Sequence, residues 1–271
     1  MIATALSIAG SDPSGGAGIQ ADLKAFSACG VYGMTALTAL TAQNTLGVTA
    51  IEVLSPAFVR AQIDAVFDDV RVNAVKVGMI ANAQIARTVV AALGQHTTTI
   101  PVVVDPVMVA KGGARLLEDE AVRVVREALV PRATVLTPNL PEAAALLGCT
   151  TATTRDEMVT QATQLLELGC QAVLLKGGHL EGPTCPDLLL TANDLVWYVT
   201  PRIATENTHG TGCTLSASLA AELAKGRLLP QAVQAATDYV SGAVAHADSL
   251  QIGNGHGPTH HFHKLWRSSD D

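Results

Sequence analysis

The segment Asn207-Thr208-His209-Gly210-Thr211-Gly212-Cys213-Thr214 runs straight into an Ala- and Leu-rich helical pattern. Glycines at 210 and 212 allow a tight turn and a close backbone approach, and the first-turn amides of a helix have no acceptor within it. Such a turn is a cradle for an anion, phosphate above all. The plainer alternative is a tight turn with a Thr cap. Context favours the cradle, because a second glycine-rich stretch, Gly10-Ser11-Asp12-Pro13-Ser14-Gly15-Gly16-Ala17-Gly18, joins the first strand pattern to the first helix pattern. Neither stretch has the Walker spacing or the full Gly-x-Gly-x-x-Gly of a dinucleotide site, which disfavours dinucleotide binding. Two more reactive groups follow apolar runs: Asp105-Pro106 after Val102-Val103-Val104, and Lys176-Gly177-Gly178-His179 after Ala172-Val173-Leu174-Leu175. Both runs are apolar on both faces, as in central parallel strands, and open α/β sheets place ligands at the carboxyl ends of such strands. The chain has six lysines, and one that ends a buried strand is harder to dismiss as a solvated charge than Lys225 or Lys264.

The elements that must position these groups alternate. Strand patterns at 3–9, 34–42, 49–54, 74–77, 100–104, 134–136 and 172–175 are interleaved with helical patterns at 17–29, 56–70, 83–93, 118–129, 141–147 and 155–168. A hairpin is expected at 187–191 and 195–200, ahead of two long helices at 211–225 and 231–250. This βαβ rhythm implies an α/β fold with a central, mostly parallel sheet covered on both faces. With 271 residues, 48% of them hydrophobic, and no linker or repeat, one domain over 1–271 is expected.

Net charge is −7 and the basic residues are scattered, so nothing marks a nucleic-acid partner. No signal peptide and no apolar run long enough for a bilayer is evident. The five cysteines are odd in number and never spaced Cys-x-x-Cys, which argues against disulfides and a zinc knuckle and for a reduced, cytoplasmic setting. We read Cys29, Cys149 and Cys170 as small buried hydrophobes.

Longer motifs carry a family resemblance. Ala9-Gly10-Ser11-Asp12-Pro13-Ser14-Gly15-Gly16-Ala17-Gly18-Ile19-Gln20-Ala21-Asp22-Leu23-Lys24, Thr41-Ala42-Gln43-Asn44-Thr45, Lys76-Val77-Gly78-Met79, Val104-Asp105-Pro106-Val107-Met108, Thr137-Pro138-Asn139-Leu140-Pro141-Glu142 and the segments at 176–179 and 207–214 occur in one order. With the tail Gly257-Pro258-Thr259-His260-His261-Phe262-His263, the chain resembles the hydroxymethylpyrimidine and phosphomethylpyrimidine kinases, within the ribokinase-like vitamin kinases. The resemblance implies a three-layer α/β/α sandwich, transfer of the γ-phosphoryl group of ATP to hydroxymethylpyrimidine and then to its monophosphate, a magnesium requirement and a homodimer. The chain ends without a fused thiamine-phosphate synthase domain, so kinase activity alone is expected.

The resemblance also assigns roles. It places Cys213 beside the attacking hydroxyl, where sugar and pyridoxal kinases carry Asp; at a helix N-terminus the thiol is expected to ionise and take the proton. The amides of Gly210, Thr211 and Gly212, with Lys176, are expected to hold the migrating phosphoryl group. Asn139 and Thr208 join Lys176, Gly210 and Gly212 as nucleotide contacts, and Asp105 and Glu142 are the candidates for holding magnesium through its waters. Helix capping is the other reading of Glu142. Gln43 offers a donor and an acceptor in one plane, matching an aminopyrimidine edge. Asp22, Gly10, Val107 and Met79 complete the substrate wall. His260, His261 and His263 lack the spacing of a helical metal pair and are read as structural. The rivals are a pyridoxine or pyridoxal kinase of the same fold and a pyrimidine-binding protein without catalysis.

Overall fold

The computed structural model describes residues 1–108 and 117–266. In chain order the elements are β1 (Thr4–Ala9), α1 (Gly18–Ala28), β2 (Tyr32–Leu37), β3 (Ala39–Asn44), β4 (Gly47–Val53), α2 (Pro56–Asp69), β5 (Ala74–Val77) and α3 (Ala83–His96). They continue with β6 (Val102–Val104), α4 (Asp119–Val124), β7 (Val135–Leu136), α5 (Leu140–Leu147), α6 (Arg155–Leu166), β8 (Ala172–Leu175), β9 (Thr184–Thr191), β10 (Leu195–Pro201), α7 (Thr211–Ala224) and α8 (Leu229–Ala245). The main sheet has the order β10-β9-β8-β7-β6-β5-β1-β2. Its strands are parallel from β2 to β8, and the β9–β10 hairpin adds antiparallel strands beside β8.

Period-two alternation sorts the sheet residues into two cores. Leu6, Ile8, Val75, Val77, Val102, Val104, Leu136, Val173 and Leu175 pack with α2 to α6 on one face. Ala5, Ala74, Val103, Val135, Ala172 and Leu174 pack with α1, α7 and α8 on the other. These are the three layers expected, and each fully buried Val, Leu or Ile contributes roughly 1.5–3 kcal/mol. The alternation also aims Ser7 and Lys76, which are register partners on β1 and β5, at the α1 and α7 layer.

Some elements differ from expectation. The run read as one strand at 34–42 breaks at Thr38 into β2, which joins the sheet, and β3, which leaves it to pair with β4. Buried Thr38 donates its hydroxyl to Met79 O at 2.7 Å, so the chain turns where a side chain is held rather than where a glycine permits. The helix read at 118–129 changes character, α4 passing into a π turn at Val125–Leu129 ahead of Pro131. Cys170 is buried and Cys29 half-buried, but Cys149 is exposed just beyond the left-handed Gly148 that ends α5.

The tail is anchored on α7 and α8. His209 N donates to Gly257 O at 3.0 Å, His260 N to Ala243 O at 2.9 Å, and Tyr239 Oη to His261 O at 2.8 Å, while His261 Nε2 lies 3.0 Å from Thr214 Oγ1. Burial, with Lys24 and His260 nearby, lowers His261 from 6.5 to about 3. Its folded value is depressed, so its contribution is intact above 6.5 and is lost as pH falls, the unfolded chain binding a proton that the folded chain refuses. At about 1.4 kcal/mol per pH unit, acidification to about pH 5 should cost wild type about 2 kcal/mol relative to His261→Gln. Urea unfolding of both proteins at pH 7.5 and 5 measures this, and parallel losses would contradict it.

Candidate active site

The turn before α7 is held open by a backbone conformation that a side chain would forbid. Gly210 has φ +76°, and a Cβ there would sit 1.7 Å from Gly16 O. The two glycine-rich stretches are therefore packed against each other, and the first-turn amides of the 14-residue α7 face the space they enclose. Thr211 is tied back to Thr208 O by its hydroxyl at 2.7 Å and its amide at 3.3 Å, which fixes the entry to the helix.

One wall of that space carries the charges at the ends of β6 and β8. Lys176 Nζ is 2.9 Å from Asp105 Oδ1 and 3.9 Å from Glu142 Oε2, and Ser216 of α7 donates to Asp105 Oδ2 at 3.1 Å. A methyl on Gly212 would lie 3.3 Å from Lys176 Nζ, which puts the ammonium directly over the first turn of α7. Burial works against the charge on Lys176, but Asp105 and Glu142 outweigh it and raise Lys176 above the ordinary lysine range. Burial likewise opposes ionisation of Asp105, yet Lys176 and Lys76 hold it below the usual carboxylate range. Glu142 goes the other way: burial and neighbouring Asp105 lift it to about 7, against Lys176. Its capping reading is realised, because Asn139 Oδ1 accepts from Glu142 N and Glu142 Oε2 from Asn139 N, each at 2.8 Å. Asn139 is thus a cap residue whose backbone bridges to Lys176, and its side-chain oxygen is spent on α5.

The floor is a buried ion pair that sequence reasoning missed. Lys76 Nζ lies 2.8 and 2.9 Å from the two oxygens of Asp22, and Ser7 Oγ donates to the same carboxylate at 2.5 Å. Lys76, Asp22 and Ser7 are all fully buried. Burial lifts Asp22 above its ordinary range; Lys76 stays high against the same burial because Asp22, Cys213 and Asp105 surround it. Asp22, expected on the substrate wall, is thereby corrected to the layer beneath it, since both of its oxygens are engaged. Cys213 sits above this pair and receives the Gly18 amide. The expectation that its position would ionise it is not met: burial, with Asp22 and Asp105, pushes the thiol up to about 11 despite Lys76. Desolvation outweighs the helix dipole, whose effect is on the order of 1 kcal/mol.

At the start of the turn, Gln43 near the end of β3 comes within 3.4 Å of His209 Nε2, and His209 Nε2 is 2.7 Å from Asp12 Oδ2. Gly10 admits the Met79 side chain, whose Cε would lie 2.3 Å from a Cβ at that position. Half-buried Val107 follows Asp105, to whose carbonyl its amide donates at 2.8 Å. The turn therefore meets two groups of side chains: Gly212 lies against Lys176 and its partner Asp105, and His209 against Gln43 and Asp12. Among the described residues no three His, Cys, Asp or Glu side chains are grouped to hold a metal directly, and no helix is long and apolar enough to cross a membrane.

The sequence model of the family described as phosphomethylpyrimidine kinase matches residues 12–260, which include both glycine-rich turns almost entirely. The chain belongs to the phosphomethylpyrimidine kinase family. It is similar to the hydroxymethylpyrimidine/phosphomethylpyrimidine kinase of Salmonella typhimurium, with 51% identity over 97% of this chain and 98% of the relative. Among solved structures it is similar to a Bacillus subtilis pyridoxal kinase in complex with ADP, at a TM-score of 0.91 and 37% identity over 98% of this chain and 100% of that one. A phosphomethylpyrimidine kinase from Clostridium difficile matches at a TM-score of 0.80 and 42% identity over 90% of this chain and 100% of that one. Phosphomethylpyrimidine kinases and pyridoxal kinases thus share this ribokinase-like backbone, and the choice of ring falls to side chains.

The residues that sequence reasoning left without roles are Lys76, Ser7, Ser216, His209 and Asp12. A lysine in the strand pattern at 74–77 was the available signal for Lys76, because an ammonium at a core position requires a partner. His209 lies inside the glycine turn itself, but its partner is 197 residues away, beyond any local pattern.

Proposed function

We propose that the protein transfers the γ-phosphoryl group of ATP to the hydroxymethyl group of 4-amino-5-hydroxymethyl-2-methylpyrimidine, and then phosphorylates the monophosphate to the diphosphate, in thiamine biosynthesis. The observation that carries this reading is the α7 turn, whose Gly212 lies against Lys176 and whose His209 meets the Gln43 amide. The amides of Gly210 and Gly212 receive the equatorial oxygens of the transferring group, joined by that of Thr211 once it gives up its long bond to Thr208 O, and Lys176 neutralises charge that spreads onto them. Asp105 and Ser216 keep the Lys176 ammonium over the turn. Thr208 and Asn139 border the nucleotide side.

Cys213 takes the hydroxyl proton. Because its thiol ionises only near 11, the reactive thiolate is a minor form at neutral pH but strongly basic. In a loose phosphoryl transfer the proton leaves late, when such a base is most useful. Lys76, below, favours the thiolate before it takes the proton, and the sulfur is left as a neutral thiol.

The donor set fits magnesium. Asp105 and Glu142 are buried carboxylates with the Lys176 ammonium 2.9 and 3.9 Å from them, and burial above all, with Asp105 beside it, lifts Glu142 to about 7. These two oxygen donors would hold the ion through its waters, and when bound it neutralises nucleotide phosphate charge.

Gln43 reads the aminopyrimidine edge, with Met79 and Gly10 on one face and the Val107 backbone nearby. This favours a pyrimidine over pyridoxal, whose ring has no amino group beside a ring nitrogen. Gln43→Leu is expected to raise the KM for the pyrimidine at least tenfold while that for ATP stays within twofold, since an unmet polar contact costs roughly 1–3 kcal/mol. Equal changes in both would remove Gln43 from the ring site. Residence in the cytoplasm, absence of a nucleic-acid partner and a two-fold dimer complete the proposal. The first two rest on unpaired thiols and a net charge of −7, the third on family resemblance.

A further inference from the structure

The contact between Gln43 and His209 joins two nitrogens on a ring edge that already faces a carboxylate. Asp12 is held at about 2, its burial outweighed by His209, Ser14 and the Ala17 amide, so it is an acceptor only. At 2.7 Å from Asp12 Oδ2, His209 Nε2 must carry a proton and donate. A protonated Nε2 cannot accept from an amide N–H, so the Gln43 group facing His209 at 3.4 Å has to be its carbonyl oxygen.

The other end of the amide gives the same answer independently. Thr41 Oγ1 lies 2.9 Å from Ser11 O and 3.3 Å from the amide atom placed as Gln43 Oε1, whose exchange with Nε2 is a matter of assignment. A hydroxyl has one proton, and the shorter contact to a carbonyl, which can only accept, claims it. Thr41 Oγ1 is left as an acceptor, and the group it meets on Gln43 has to be the NH₂. Thr41 is itself fixed, its amide donating to Ser11 Oγ at 3.0 Å. Asp12 is equally fixed by Ser14 N at 2.9 Å, Ser14 Oγ at 2.6 Å and Ala17 N at 2.7 Å.

We propose that Asp12, His209 and Thr41 are positioning residues that lock Gln43 in one amide orientation, so that the site accepts a ring bearing an amino group beside a ring nitrogen and rejects its oxo counterpart. The proposal rests on the pyrimidine kinase reading above and deepens it. An unlocked glutamine rotates by 180° and offers either polarity to the cleft. A locked one spares one lone pair and one N–H in a fixed order, which matches an exocyclic amine next to an acceptor nitrogen. The oxo analogue presents the reverse order and leaves both groups unpaired.

The experiment compares kcat/KM for 4-amino-5-hydroxymethyl-2-methylpyrimidine and for its 4-oxo analogue in wild type, His209→Phe, His209→Gln and Thr41→Val. Wild type is expected to prefer the amino ring by at least a hundredfold. His209→Phe and Thr41→Val should each cut that preference at least tenfold while the KM for ATP changes less than twofold. His209→Gln, whose amide N–H replaces the ring donor to Asp12, should restore most of it. A merely structural role would slow both rings alike, so an unchanged ratio in both His209→Phe and Thr41→Val overturns the proposal. Should His209→Phe not fold, Thr41→Val, remote from the α7 turn in sequence, carries the comparison alone. If wild type phosphorylates the amino ring and the variants keep its preference, the locking idea fails and the kinase reading stands; if wild type phosphorylates neither ring, the kinase reading fails and takes the locking idea with it.

Discussion

Lys176→Met is expected to lower kcat by about a thousandfold or more, with a much smaller change in the KM for the pyrimidine. A donor aimed at charge that develops only in the transition state is worth about 10² to 10³ in rate, and cationic groups on a migrating phosphoryl about 10³ to 10⁵. Lys176 meets the geometric condition, its ammonium lying beside Gly212 at the first turn of α7. The substitution also carries a structural signature. Asp105 loses its 2.9 Å partner and Glu142 the neighbour that opposes its rise to about 7. Stripping one member from a buried pair costs about 3–5 kcal/mol, so the variant should unfold at lower urea and recover stability as pH falls and the carboxylates protonate. Lys176→Arg should keep most of the stability yet little of the rate, because a planar fork cannot reproduce a point charge in this space. Near-normal kcat in Lys176→Met would remove the lysine from the chemistry.

Cys213→Ala should lower kcat by about 10²- to 10⁴-fold, the usual worth of a positioned proton acceptor. Its diagnostic is the pH profile. With the thiol held up to about 11 by burial, the thiolate fraction grows about tenfold for each pH unit between 7 and 10. Wild-type kcat/KM should rise with pH over that interval, and the alanine variant should lose the rise along with the rate. Lys76→Met, which removes the charge that opposes the upward push on Cys213, should move the wild-type rise to still higher pH. A profile shared by wild type and Cys213→Ala would show that the sulfur positions the substrate without taking its proton.

Much of the fold was legible because the sheet residues obey a simple alternation. The strands at 74–77 and 172–175 are found with the bounds expected, and apolar runs ending in Asp105 and Lys176 do deliver those side chains to one site. The break at Thr38 was not legible, since a strand that changes sheets keeps its β-forming residues and only a tertiary hydrogen bond marks the turn. The glycine turn was readable as a cradle, but the ionisation of Cys213 was not. Sequence shows the helix terminus that favours thiolate and hides the desolvation that opposes it. The same holds for Asp22, whose motif position says nothing about a lysine 54 residues away taking both of its oxygens. Local chemistry is visible in a sequence, and long-range charge compensation is not.

The most direct measurement is to incubate the purified protein with 4-amino-5-hydroxymethyl-2-methylpyrimidine and Mg-ATP and to weigh the products by mass spectrometry. The monophosphate is expected first and the diphosphate after it, with one ADP formed for each phosphate added. Pyrimidine that binds but is recovered unmodified, or phosphorylation of pyridoxal in its place, would contradict it.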